Sequence, residues 1–406
     1  MNNSKEKINQ TQLIISVIEL DFHADCLDGF LKIFENSFHT VHVFTTKINM
    51  DILKEIEYTK NIIFHPLNSF SKFIFLFKNK FIIDLSDIVF INTIASDFGA
   101  YLAINKKLNT IVRIHNINKH FNPLNSITFP KNLFSLWKFT SFFFRQLIIK
   151  VTPIFRLIIN KRIKYFTFPD NGLKEFAISK KYLPREKIID SIPLKIFNSS
   201  TPFSIYFDEL NICIVGSTDI KRRNYTPIIE ALTEIYSNLN TPKINLTLLG
   251  KSKGIASDRI INQFNKINNS NFSLTVFNDI VSENKFIDIM NKTHLIISPI
   301  IEFSKVDIYT ETYGKTKTSG SILDFMKFGI VTLTPSYYSP PIDLSNFILK
   351  YTDSKNLVEQ INKFCLNPAS LNSLNQEAKE FSSINFNKNK ILNICESIFY
   401  KINENV

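Results

Sequence analysis

Residues 311–329 read ETYGKTKTSGSILDFMKFG, a polar run that changes abruptly into the pattern of an amphipathic helix. Gly329 stands where a helix C-cap is expected, and the apolar face before it consists of Ile322, Leu323, Phe325 and Met326. The helix would begin at Ser319, Gly320 and Ser321, where free N–H groups and the helix dipole favour an anion. The stretch therefore predicts a cradle for a phosphorylated ligand in preference to a polar surface loop.

Charged side chains of the same stretch agree with a phosphorylated ligand that also carries a sugar. Lys315 and Lys317 add positive charge beside the expected helix N-terminus. Asp324 lies about one turn into the helix, where a carboxylate can accept hydrogen bonds from vicinal hydroxyls, as acidic residues do with ribose. We therefore predict that Lys315, Lys317 and Asp324 bind the ligand together with residues 319–321.

Outward from this stretch, short β-rich runs alternate with helix-length segments, as in parallel α/β layers. The predicted strands of the first half read LIISVIEL, TVHVFTT, NIIFHP, DIVFINT, TIVRIHN, IKYFTFPD and KIIDSIP. Those of the second half read NICIVGS, INLTLLG, FSLTVFN, HLIISPI and IVTLTP. The pattern predicts an α/β protein of two doubly wound Rossmann-like domains that face each other across a cleft, with ligands at the carboxyl ends of the strands.

Chain length also requires more than one core, because 406 residues with 44% hydrophobic content exceed an ordinary single domain. We place a linker near residues 190–208. The predicted units are an acceptor-side domain over residues 1–195, a ligand-binding domain over 205–365 and C-terminal helices over 366–406.

Net charge and cysteine usage restrict the partners and the compartment. The net charge of +12 suits an anionic partner, which could be nucleic acid, anionic lipid or a nucleotide-linked substrate. No recognised nucleic-acid-binding motif is present, so nucleic acid is not expected. The four cysteines are far apart and lack metal-ligand spacing, and the apolar run near the N-terminus is too short for a secretory signal. These features predict reduced thiols in a cytoplasmic protein.

The segment 129–166 is rich in large apolar side chains and in Lys and Arg, and it contains no acidic residue. Its apolar runs are shorter than the roughly 20 residues that span a bilayer. A basic, aromatic-rich helix of this type can lie in the interface of an anionic membrane. The alternative is a helix pair that packs on its own domain and extends its Lys and Arg side chains to water. We favour the membrane-facing interpretation.

Two strand ends in the second half supply further candidate residues. NICIVGS ends at Gly216, and the loop after it contains Arg222 and Arg223, whose guanidinium groups suit phosphate oxygens. INLTLLG ends at Gly250, where a glycine permits close approach of a ligand. The alternative for the arginines is a solvated basic turn.

The order of elements over residues 211–364 resembles the C-terminal domain of GT-B glycosyltransferases, particularly glycosyltransferase family 4 and its relatives. Gly216 and Arg223 fall where that family has a glycine and a lysine. The first half of the chain is similar more loosely, through IVRIHNINKHF and KIIDSIPLKIF. The resemblance implies a nucleotide diphosphate sugar as donor substrate, no cofactor, and a last helix that crosses back to the first domain.

The two-glutamate signature of that family is altered here. Glu311 with Tyr313-Gly314 matches its first half, whereas the second carboxylate aligns only with Asp324, after an insertion. The resemblance thus implies that Glu311 lies by the donor sugar, that Asp324 contacts the ribose, and that the inserted KTKTSG binds the diphosphate. No Asp-x-Asp triplet is present, which agrees with a metal-independent hexosyltransferase-like reaction.

Histidines in the first half are candidates for the chemistry on the acceptor side. His23 and Asp25 follow the first predicted strand, and such a pair can act as a general base. A structural histidine with a capping aspartate is an equal alternative. His115 ends another strand, and the resemblance places it in the active centre. Whether the reaction retains or inverts the anomeric configuration stays open.

The sequence thus predicts a glycosyltransferase that acts on a lipid-linked or surface-polysaccharide acceptor, peripheral on the inner face of the plasma membrane. A sugar-nucleotide epimerase or hydrolase of the same fold would use the same phosphate cradle without an acceptor. A non-catalytic partner in glycan assembly is the third possibility, because the carboxylate signature is altered.

Overall fold

The computed structural model describes residues 11–53, 57–95, 97–129, 133–145, 152–198, 208–237, 241–252 and 254–404. Six strands of the first domain form a parallel sheet in the order β3-β2-β1-β4-β5-β6. Their bounds are β1 Ile14–Glu19, β2 Thr40–Thr45, β3 Ile62–Pro66, β4 Ile88–Ile91, β5 Thr110–Arg113 and β6 Tyr165–Thr167. The strand order reverses between β1 and β4, which opens a crevice at their carboxyl ends.

Helices cover both faces of this sheet. Their bounds are α1 Ala24–Phe34, α2 Lys47–Leu53, α3 Lys72–Lys78, α4 Lys80–Asp84, α5 Ile117–Phe121, α6 Leu133–Phe144, α7 Thr152–Arg162 and α8 Asn171–Ser179, with short 3-10 helices at Phe98–Ala103, Leu124–Ser126 and Arg185–Lys187. Phe30 of α1 belongs to one buried cluster, and Phe75 of α3 and Ile159 of α7 belong to the cluster on the opposite face. The sheet is therefore buried on both sides, which explains its nearly continuous apolar strands.

The second domain repeats this topology. Its strands are β7 Leu210–Val215, β8 Ile244–Lys251, β9 Phe272–Phe277, β10 Leu295–Ile297, β13 Thr332–Pro335 and β14 Ile348–Tyr351, in the sheet order β14-β13-β10-β7-β8-β9. An antiparallel hairpin, β11 Phe303–Val306 and β12 Tyr309–Thr312, lies outside the sheet. The helices are α9 Thr226–Tyr236, α10 Gly254–Asn265, α11 Glu283–Asn291, α12 Gly320–Phe328, α13 Ser354–Leu366, α14 Pro368–Asn385 and α15 Lys388–Glu404, with a 3-10 helix at Ile342–Leu344.

The last helix, α15, packs on the first domain. His39 Nε2 donates to Glu396 Oε1 at 3.0 Å, and both residues are buried. The rings of Phe34 in α1 and Phe399 in α15 stack with centroids 6.0 Å apart. The two domains are thus joined by this helix as well as by the linker, whose residues 199–207 lie outside the described part of the chain.

The predicted fold class, two doubly wound domains facing across a cleft, is confirmed. The strand predicted at KIIDSIP is wrong, because Ile188 makes only an isolated bridge to Phe166. The reason is that the Thr167 hydroxyl bonds to the Asp190 carbonyl and to the Ile192 N–H, where a regular ladder would use backbone groups of β6. Helix α1 begins at Ala24, and the His23 carbonyl accepts from the N–H groups of Cys26 and Leu27.

The hairpin β11–β12 and strand β14 were not predicted from the sequence. The hairpin turns at Asp307, whose φ of 56° is left-handed. It reaches the first domain, where the Tyr309 ring lies 6.0 Å from the Arg156 guanidinium of α7 and the Thr310 and Thr128 hydroxyls share a hydrogen bond. An element of the second domain therefore closes one side of the cleft.

Candidate active site

The second-domain wall of the cleft begins at the end of β7. Gly216 has a φ of 93°, and a Cβ built there would lie 2.3 Å from Nη2 of Arg223. A Cβ at Gly250 would lie 2.4 Å from the carbonyl carbon of Gly216. Gly250 is therefore required for the close approach of the two strand ends, whereas a side chain at Gly216 is disfavoured by its left-handed φ and by the Arg223 guanidinium. The predicted approach of a ligand to Gly250 stays a prediction.

The two arginines after β7 differ in their surroundings. Arg223 is half-buried, and its Nη1 and Nη2 donate to the carbonyls of Ser217 and Val215, each at 2.7 Å. Arg222 is exposed, with its Nε 3.8 Å from the carboxylate of Asp219. Arg223 thus braces the strand end with two of its five donors, whereas Arg222 keeps its guanidinium at the surface of the cleft.

Helix α12 begins at Gly320, as expected, and Ser319 is its N-cap residue without a side-chain capping bond. Ser319 and Ser321 are buried, while a Cβ at Gly320 would meet no atom within 4 Å. Lys315 is exposed in the turn before the helix. The space beside the Cα atom of Gly320, in the first turn of the helix, is therefore open, and a helix N-terminus can stabilise a phosphate group.

Lys317 turns towards the hairpin. Its Nζ donates to Ser304 Oγ of β11 at 3.1 Å. Burial and, to a smaller extent, the Arg222 charge lower the pKa of Lys317 to about 8, against the opposing effect of Glu311. Lys317 is therefore a partly desolvated cation at the junction of the hairpin and the cradle.

Glu311 is fully buried in β12, and its carboxylate accepts hydrogen bonds from the first domain. Oε1 accepts from the N–H of Lys119 at 2.8 Å and Oε2 from the N–H of Asn118 at 3.2 Å, both in the first turn of α5. Burial raises the pKa of Glu311 despite these bonds. The carboxylate thus ties the two domains together, and its predicted contact with a donor sugar stays a prediction.

Asp324 faces the cleft from α12. Burial raises its pKa to about 6, against the attraction of Lys195, Lys327 and Arg223, while Asp25 adds repulsion. Lys195 and Asp25 belong to the first domain, and Asp25 is exposed in the first turn of α1. Asp324 and Asp25, predicted for opposite walls, are therefore near enough for the Asp25 charge to raise the pKa of Asp324.

On the first-domain wall, His23 and His115 stack with ring centroids 5.7 Å apart and planes within 12°. His115 Nε2 donates to the Asn92 carbonyl at 3.0 Å. Burial lowers the pKa of His115 to about 3, and the charges of His23 and Arg113 act in the same direction. His115 is thus a neutral imidazole with a fixed tautomer.

The pKa of His23 is shifted in the opposite direction. Burial alone would lower its pKa, but the Glu19 carboxylate, with Oε1 3.9 Å from Nδ1, raises it above the ordinary value. The structure therefore replaces Asp25 by Glu19 as the partner of His23. Two stacked imidazoles with diverging pKa values are typical of an acid–base or electrostatic site.

A buried polar network below these histidines was missed by the sequence analysis. Asn92 Nδ2 donates to Glu19 Oε2 at 2.7 Å, and Asn92 Oδ1 accepts from Arg113 Nη1 at 2.9 Å. The Arg113 guanidinium lies over the rings of Phe30 and Phe90 at 5.2 and 5.0 Å. The available signal was a polar residue at the end of each apolar run LIISVIE, IVFIN and TIVR, since these ends meet at one edge of a parallel sheet.

Above the network lies a cavity of about 90 Å³. Residues that line it include His23, Thr93, His115, Asn116, Lys119 and, from the hairpin, Val306. The Thr93 hydroxyl and the Asn116 side-chain carbonyl are buried there, and neither has a hydrogen-bond partner among the described residues. The cavity therefore holds unpartnered polar atoms beside apolar side chains, and the hairpin contributes Val306 to its wall.

The fold of the two domains is that of solved GT-B glycosyltransferases. A glycosyltransferase from Rickettsia africae superposes with a TM-score of 0.63 at 14% identity, covering 98% of this chain and 100% of that one. Anabaena Alr3699/HepE in complex with UDP gives 0.62 at 12% identity, covering 96% and 100%. The pneumococcal O-GlcNAc transferase GtfA in complex with UDP and GlcNAc gives 0.56 at 10% identity, covering 96% and 99%.

Neither a protein-family profile nor a curated protein sequence matches the chain. At such low identities the solved structures establish the fold alone. The chain therefore has the GT-B fold, and its activity has to be inferred from the residues in its cleft.

Proposed function

We propose that this protein is a glycosyltransferase that moves a sugar, hexose-like in size, from a nucleotide diphosphate donor to a hydroxyl of a glycan or lipid-linked acceptor. The observation that carries the proposal is the cleft itself. One wall presents the neutral His115 stacked on His23, whose raised pKa favours its cationic form. The facing domain presents an open helix N-terminus at Gly320 with cationic residues beside it.

The donor would bind mainly to the second domain. The N-terminus of α12, Lys315 and Arg222 would hold the diphosphate, and Asp324 would accept from the ribose hydroxyls. Because these cations and the helix dipole offset the charge of the leaving nucleotide, the transfer would proceed without a metal. HepE was solved with UDP and GtfA with UDP and GlcNAc. Uridine diphosphate sugars are therefore the first donors to test.

The two histidines would have different tasks. With Nε2–H fixed on the Asn92 carbonyl, His115 presents Nδ1 as an acceptor for a sugar or acceptor hydroxyl. The raised pKa of His23 favours its cationic form, which would stabilise negative charge. If the reaction inverts configuration, the exposed Asp25 is the other candidate base.

The acceptor would be lipid-linked or part of a surface polysaccharide, with the protein held on the inner face of the plasma membrane. Support comes from the exposed side chains Trp137 and Phe144 of α6 and Leu157 of α7, which lie in the acid-free segment 129–166. Residues 130–132 and 146–151 of that segment lie outside the described part of the chain. Among the helices that the structure describes, none combines the length and the apolar character needed to cross a bilayer.

A thermal-shift screen against UDP-, GDP- and CMP-sugars tests donor binding, because a bound ligand raises the melting temperature. The expected result is stabilisation by one nucleotide class, and its loss in Asp324→Asn. Product formation with a lipid-linked acceptor then tests transfer, and proton NMR of the product assigns its stereochemistry. Turnover of the donor without acceptor would establish the epimerase or hydrolase alternative.

A non-catalytic partner in glycan assembly is the second candidate. The observation in its favour is Glu311, whose carboxylate is satisfied by backbone N–H groups of the first domain. Failure of every sugar nucleotide to stabilise the folded protein would support this candidate over the transferase.

A further inference from the structure

Helices α3 and α4, together with Phe70 just before them, present an apolar surface that has no role in the proposed function. Phe70 is fully exposed, and Phe77 and Phe81 keep 60% and 77% of their surface in contact with water. Phe73 and Ile74 are also exposed, and the rings of Phe73 and Phe77 stack one helical turn apart. We define Phe70, Phe73, Ile74, Phe77 and Phe81 as the α3–α4 patch. Contiguous exposed apolar patches of this kind mark interaction surfaces.

The charge around the patch points to an anionic partner. Residues 58–83 contain four lysines and no acidic residue. Two of these lysines are paired, Lys72 with Asp21 and Lys80 with Asp84, whereas Lys78 is exposed beside Phe77. Protruding rings beside an exposed lysine suit the interface of a bilayer, where rings enter the acyl boundary and an ammonium group meets lipid phosphates.

The patch lies on the same side of the first domain as helix α7. Helices α3 and α7 both pack against the 3-10 helix Phe98–Ala103. Their inward residues, such as Phe75 and Ile159, belong to one buried cluster. Ile154 and Leu157 of α7 are exposed and lie in the other long acid-free segment. Two regions that are distant in sequence thus present the same chemistry on one face.

We propose that the α3–α4 patch docks on an anionic lipid bilayer, together with the exposed face of α7. This inference extends the membrane association of the proposed function to a second, separate element. It requires neither a sugar donor nor an acceptor, so it can fail or hold independently of glycosyl transfer.

The test uses the full chain and its single tryptophan, Trp137, which is exposed in α6. Vesicles of phosphatidylcholine with phosphatidylglycerol should shift the Trp137 emission to the blue and pull the protein into the lipid fraction on flotation. Vesicles of phosphatidylcholine alone should bind more weakly, and added salt should reduce the difference. Phe77→Ser with Phe81→Ser should weaken binding by about tenfold for each ring removed.

The matched control removes two exposed apolar side chains from the second domain, Ile255→Ser with Ile342→Ser, which keep 75% and 88% of their surface exposed in the wild type. This variant should bind vesicles like the wild type. Because both pairs lie outside the core, unchanged melting temperatures show that the folds are intact.

The proposal would be overturned if the Phe77→Ser, Phe81→Ser variant bound anionic vesicles as tightly as the wild type. It would also be overturned if the wild-type protein did not bind anionic vesicles. If the same substitutions abolish self-association in sedimentation velocity while vesicles are never bound, the occupant is a second copy of the chain, and the bilayer proposal is equally overturned.

Discussion

Replacing Glu311 separates a role in holding the domains together from a role in donor binding. Its carboxylate accepts two backbone N–H bonds from Asn118 and Lys119 in a fully buried position. A hydrogen bond to a charged group contributes about 1.5 to 3 kcal/mol, and a buried donor left without a partner costs about 1 to 3 kcal/mol. Glu311→Gln keeps one acceptor oxygen and turns an amide N–H₂ towards the other donor. It should lower the free energy of unfolding by about 2 kcal/mol, and Glu311→Ala by about 4 kcal/mol.

Urea unfolding of the protein without ligands measures this loss. The matched control is Asp307→Asn, which removes the ion pair with Lys119 Nζ at 2.7 Å in the same interface. Because 41% of the Asp307 side chain is exposed to water, its variant should lose less than about 1 kcal/mol. The reasoning is refuted if both Glu311 variants unfold like the wild type and lose only their affinity for a sugar nucleotide, since Glu311 would then be a donor ligand.

Three further outcomes follow from the site. Glu19→Gln should lower the pKa of His23, because burial then acts without its counter-charge, and imidazole NMR titration against an Asp28→Asn control measures it. Asp324→Asn should stabilise the ligand-free protein at pH 7. The pKa of Asp324 is about 6 in the folded protein against an ordinary value of 3.8, so its contribution to stability is complete below pH 3.8 and is lost as the pH rises through about 6. Melting curves near pH 4 should therefore show no gain in stability for the variant. Gly320→Ala should leave the melting temperature unchanged, since its Cβ meets no atom, yet reduce binding of a diphosphate sugar by crowding the cradle; equal affinity would place the diphosphate elsewhere.

The hairpin β11–β12 contacts several of the residues on which these predictions depend. It contributes Glu311 to the first domain, Ser304 to Lys317 and Val306 to the cavity beside the histidines. Changes at the donor cradle can therefore reach the first-domain wall through a few direct contacts. This coupling is why the Glu311 variants need both a stability and a binding measurement.

The local pattern of the sequence determined most of the architecture. Apolar runs of strand length, separated by helix-length segments, predicted eleven of the twelve strands found in the two sheets; KIIDSIP was an additional, wrong prediction. The break in ETYGKTKTSGSILDFMKFG placed the start of α12 and its left-handed C-cap at Gly329 correctly. Both are short-range features, since side-chain periodicity and helix capping depend on neighbours within a turn.

Only the tertiary structure decided the partners of the buried polar groups. Glu311 bonds to residues 192 and 193 positions earlier in the chain, and Asn92 meets Glu19 across 73 positions. No local pattern encodes such pairs, because they depend on which strand ends and loops the two domains bring to the cleft. The sequence by itself thus determined the two domains and the start of α12. Packing decided that Glu19, and not Asp25, accompanies His23, and that Glu311 accepts from backbone N–H groups in the first turn of α5.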